Sequence, residues 1–102
     1  MPSGSITAFR PTGTATLSTT TSSAAVALAG GGDSVVVTNT TASLAYVAFG
    51  SDATVSASNA DMPVMANSQV MLAVNFLVTY AAAVLATGSG TLMFTRGDGA
   101  YL

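Results

Sequence analysis

Apolar and polar residues alternate with a period of two along most of this chain, and small polar clusters interrupt the alternation at intervals of about ten residues. That pattern is the signature of short, half-buried β-strands. Ser5 to Arg10 (SITAFR) predicts a first strand, ended by Pro11 and Gly13. Thr14 to Thr21 predicts a second, with Ala15 and Leu17 on one face and Thr14, Thr16 and Ser18 on the other. Ala24 to Ala29 follows, with Val26 and Leu28 facing one way, and Gly30-Gly31-Gly32-Asp33 makes a loop. The continuous apolar run in Ser34 to Asn39 (SVVVTN) predicts a central strand buried on both faces. Thr40 to Ser43 turns the chain, and Leu44 to Gly50 is expected to return antiparallel, with Val47 and Phe49 opposite in facing to Tyr46.

Ser51 to Ala60 reads as a short edge strand or a loop around Val55. Ser68 to Gly88 predicts a hairpin turning at Asn75, its first arm alternating Val70, Leu72 and Val74 with Met71 and Ala73. Gly90 to Arg96 (GTLMFTR) is the last predicted strand, with Leu92 and Phe94 alternating against Met93, and Gly97-Asp98-Gly99 ends it. Eight or nine short strands in one domain of 102 residues predict an all-β antiparallel β-sandwich or jelly-roll. The Thr/Ser-rich stretch within residues 1–23 fits either a solvent-facing strand or an extended arm lying on a neighbour.

Composition sharpens this picture. Half the residues are hydrophobic while only 6% are charged, against about 25% in an ordinary soluble domain. The strong helix formers Lys and Glu are missing, and Val and Thr are abundant, which favours strands on propensity. The formal net charge of −2 offers little colloidal repulsion, so the chain reads as a subunit of an assembly. The segment Val70 to Ala86 is uncharged, but its two-residue period and the lack of flanking cations favour strands over a membrane span. Met1 to Arg10 is too short and too polar for a signal peptide.

The residue inventory also excludes chemistry. Without His, Cys, Lys or Glu there is no thiol or imidazole nucleophile, no Cys/His zinc site, no Schiff-base lysine and no P-loop, so an enzyme is not expected. Two cations, Arg10 and Arg96, cannot neutralise a run of phosphates, which argues against nucleic acid as a partner. The turns holding Asp33, Asp52 and Asp98 lack the dense alternating acids of a calcium loop, and no two aspartates suggest a catalytic carboxylate pair. Gly30 to Gly32 and Gly88-Ser89-Gly90 lack phosphate-loop spacing. The tyrosines and phenylalanines, with no Trp among them, suit packing better than a sugar platform. No cofactor or metal is called for.

Four blocks, VVVTN (Val35 to Asn39), AYVAFG (Ala45 to Gly50), ADMPV (Ala60 to Val64) and GTLMFTRGDG (Gly90 to Gly99), together resemble a group of small virion proteins of tailed bacteriophages. The resemblance runs from residue 35 to residue 99. It departs at Met65-Ala66-Asn67-Ser68, where a Pro-Gly type of turn is more usual, and the first 34 residues have no counterpart. It implies a β-sandwich on the virion, with no catalytic residue to carry over. The expected role is a capsid decoration or cement protein that binds the major capsid lattice on the phage head. The alternative is a neck, tail or fibre component with a glycan-binding role. Partner contacts are expected at Ile6, Phe9, Met62, Met65, Tyr101 and Leu102, together with self-association into dimers or trimers.

Overall fold

The computed structural model describes residues 9–75 and 77–99. They form eight strands: β1 (Arg10–Thr19), β2 (Ala24–Ala27), β3 (Ser34–Asn39), β4 (Ala45–Gly50), β5 (Met62–Val64), β6 (Ser68–Ala73), β7 (Tyr80–Leu85) and β8 (Gly90–Asp98). One sheet has the order β1-β8-β3-β6 and the other β2-β7-β4-β5, every pair antiparallel. The chain is a small all-β sandwich. Its pairs nest as β1 with β8, β2 with β7, β3 with β6 and β4 with β5, and the nested ribbon is rolled so that β8 also meets β3 and β7 meets β4. That is the strand order of a jelly roll.

Period-two patterning accounts for the core. Leu17, Val35, Val37, Leu92 and Phe94 point inward from the first sheet, and Ala45, Val47, Val64, Ala81, Ala83 and Leu85 from the second. Phe49 meets Phe94 edge to face, with ring centroids 6.2 Å apart. Two large rings at mid-core need small neighbours at close-packed density, and the inward positions of β7 are alanines at 81 and 83. Val26, Leu28, Val70, Leu72 and Val74 pack around the rim of this core on the faces the alternation assigned to them. Val36 points outward from β3 yet is buried, because Thr95 on β8 and Met71 on β6 flank it in register. The continuous apolar run of this strand is therefore explained by its central place.

Several expectations need correction. The first predicted strand falls mostly on residues outside the described ones, and Pro11 and Gly13 do not end a strand: they lie inside β1, where the register with β8 slips. Proline is tolerated there because β1 is an edge strand and the slip is a bulge. Leu44 to Gly50 does not return beside β3, since β3 and β4 belong to different sheets. Nor do β6 and β7 form a hairpin. Asn75 does start a turn, its Oδ1 accepting from Leu77 N–H at 2.8 Å and its carbonyl from Val78 N–H at 3.1 Å, but the chain crosses to the opposite sheet. The uncharged segment 70–86 is thus two strands and a crossover, and no helix among the described residues is long and apolar enough to cross a membrane.

Candidate interaction surface

Each end of the sandwich is closed by one buried polar side chain. Arg96 is only 3% exposed, and its bonded partners among the described residues are all main-chain carbonyls. Its Nε and Nη2 donate to Gly32 O at 3.0 and 2.9 Å, Nη2 also donates to Asn75 O at 3.1 Å, and Nη1 donates to Val78 O. The planar guanidinium, with five donors and no need of deprotonation, can bridge three carbonyls at once. It ties the β2–β3 loop to the β6–β7 crossover, and so one sheet to the other. Asn39 does the same at the opposite end: Nδ2 donates to Ser43 O, Val64 O and Met65 O, while Oδ1 accepts from the backbone N–H and the hydroxyl of Thr41. Gly32 holds its carbonyl toward Arg96 with φ at +131°, and a Cβ there would strike the backbone of Gly97.

The inward burial of Arg96 removes one of the two side-chain cations from the surface. Among the described residues Arg10 is the exposed one. The sequence held a signal for this: Arg96 shares the parity of Leu92 and Phe94, both core residues of the same strand. Asp33 in the β2–β3 loop and Asp98 at the end of β8, far apart in sequence, come together, Asp33 N–H donating to Asp98 Oδ1 at 3.3 Å. Asp52 sits in a turn where the hydroxyl and backbone N–H of Thr54 both donate to it, which lowers its carboxyl below the ordinary value of 3.8.

Of the two expected forms for the segment from Ser51 to Asp61, the structure has the loop, and it is tied down on the sheet. From the end of β4 it reaches Ser23, just before β2, where Ala57 N–H donates to the Ser23 hydroxyl at 2.8 Å, and it returns to β5. With β7 lying between β2 and β4, it crosses the outer face of that sheet twice. A groove of about 480 Å³ remains beneath it, lined by Thr21, Ser23, Tyr46, Ser58, Asn59 and Val84 among others.

Of the six expected partner contacts, Ile6, Tyr101 and Leu102 lie outside the described residues. Met62, which opens β5, and Met65, the residue after its end, are 43% and 68% exposed. Phe9 is apart from them: its ring lies against Gly97 of β8, in the other sheet. Leu77 in the β6–β7 crossover, 63% exposed, is an apolar contact that period-two reading did not single out, because it lies in a turn. Comparison of the chain with protein-family models, curated proteins and solved structures finds no match.

Proposed function

We propose that this chain is a structural protein of a tailed-phage particle, a capsid decoration or cement protein that binds and stabilises the major capsid lattice at the head surface. The observation that carries this reading is the strand order, a rolled eight-strand sandwich of the kind that viral capsid and lectin domains use. Fold alone does not assign function, so the surface matters as well. Exposed methionines at β5 and a surface with few charges suit attachment by apolar contact and strand pairing, assembled in the host cytoplasm and kept in the virion. The role involves no catalysis, cofactor, nucleic acid or membrane. Quantitative gel analysis of purified particles tests it: hundreds of copies per virion are expected, and absence from the particle would overturn it.

A second reading, a neck, tail or fibre component that binds host glycans, has the groove in its favour. Its size falls within the usual range for small-ligand sites, and it presents Tyr46 beside hydroxyl and amide groups. Six, twelve or a few dozen copies per particle, with glycan binding lost in Tyr46→Ala, would favour it over the first.

A further inference from the structure

The four sheet edges are not equally guarded. The backbone groups that face outward follow from the antiparallel rule that directly opposed pairs alternate between bonded and unbonded. On β6, Val74 N–H donates to Asp33 O at 2.8 Å, so the pairs Leu72–Val35, Val70–Val37 and Ser68–Asn39 are the bonded ones. Gln69, Met71 and Ala73 therefore turn their N–H and C=O groups away from β3, toward the free edge. The same reasoning carried through β3 and β8 leaves Thr14, Thr16 and Ser18 facing outward on β1. On β5, which has three residues, the outward position is Pro63, which has no N–H to offer. On β2 only Ala25 and Ala27 face outward, and the turn from Thr20 to Ser23 joins this strand directly to β1.

The β1 and β6 edges differ in what lies behind them. Behind β1 the inward side chains Ala15 and Leu17 are already buried, and the start of the strand is covered by the β2–β3 loop, where Thr12 Oγ1 bonds both the N–H and the carbonyl of Gly31. Behind β6 the inward side chains Val70, Leu72 and Val74 are only partly buried. The reason is that β5 pairs with Ala45 to Val47 and stops, so that among the described residues the rest of β4 has no neighbour strand on that side. The β6 edge thus combines backbone groups that no described residue pairs with, half-covered core residues, and no charge or proline between Ser68 and Ala73.

We infer that β6 pairs antiparallel with β6 of a second copy of this chain, about a two-fold axis through Met71, joining two four-stranded sheets into one. The second copy is the occupant because the strand is complementary to itself in this register. Met71 faces Met71 of the other copy and Gln69 faces Ala73, so three opposed pairs, each exchanging two bonds, use every outward group on both strands. On the inner face Val70 comes beside Leu72 of the other copy, apolar on apolar, and no like charges meet. An interface of two opposed strands is small, so the dimer should dissociate on dilution. This inference does not depend on the virion reading, and it is tested on the isolated full-length chain.

The experiment measures mass by light scattering over a concentration series for the wild type and for Met71→Lys and Met71→Asp. The expected result is a dimer for the wild type, monomers for each variant alone, and a dimer again when the two variants are mixed, since opposite charges then face each other across the axis. Because the sequence holds no cysteine, Met71→Cys should give a disulfide-linked dimer on mild oxidation, whereas Thr16→Cys should not. A wild-type chain that is monomeric throughout, or a dimer untouched by either charged variant, would overturn the inference. So would crosslinking through residue 16 and not through residue 71. Capture of another virion protein by a monomeric chain would assign the edge to that protein instead.

Discussion

Replacing Arg96 with methionine keeps an apolar stem in the core and removes the guanidinium. Three carbonyls lose a donor. Asn75 O retains the Val78 N–H, whereas Gly32 O loses both of its bonds from this side chain and Val78 O loses its bond from Nη1. A buried carbonyl left without a partner costs about 1–3 kcal/mol, and hydrogen bonds from a charged donor contribute about 1.5–3 kcal/mol each. Against that stands the relief of no longer burying a charge that no carboxylate of the described residues offsets, which is worth several kcal/mol in principle but is already largely met by carbonyl dipoles. With two carbonyls orphaned, the net loss is about 2–4 kcal/mol. For a domain near 100 residues this lowers Tm by roughly 10–25 °C. There is no Trp, so the transition is followed by far-UV circular dichroism with tyrosine fluorescence as a second probe, in urea and by heating. A loss below about 1 kcal/mol with an unchanged m-value would show that the carbonyl bridge contributes little and that packing alone holds this end.

Asn39→Asp should be at least as damaging at neutral pH, because a carboxylate would face the carbonyls of Ser43, Val64 and Met65 where an amide now donates; part of the loss should return on acidification, read by the same urea titration. Stability of the wild type should be flat from about pH 5 to 8, since the chain has no His, and should fall under acid. The sign at Asp52 is that of a lowered carboxyl: its contribution is present above the ordinary value of 3.8 and is lost as pH falls through the lower folded value, so Asp52→Asn should flatten the acid limb. The proposed virion role adds that the protein should stay bound to purified particles in about 1 M NaCl, where the Debye length drops to about 3 Å, and leave only with denaturant. Release at moderate salt with the shell intact would place the attachment on Arg10 or the aspartates, Arg96 being inside the fold.

Reading the residues in order was enough for β3, for both faces of β1, and for the inward placing of Leu92, Phe94, Val47 and Phe49, because side-chain direction in a strand is a local property with a period of two. The near absence of charge, and the lack of His, Cys, Lys and Glu, was equally plain. Partner choice was not legible. Uncharged strands rich in Val, Ala and Thr can pair with one another in many combinations, and nothing local distinguishes a tight hairpin from a crossover between sheets, so the sequence alone suggests an antiparallel return after β3 and a hairpin after β6 where the chain crosses between sheets. The exposed methionines at β5 could be named from the sequence, but their separation from Phe9 could not, since it depends on which sheet each strand joins. Arg96 shows the boundary most clearly: its parity pointed inward, but only the tertiary structure supplies the three carbonyls, from segments before β3 and before β7, that make burying a cation tolerable.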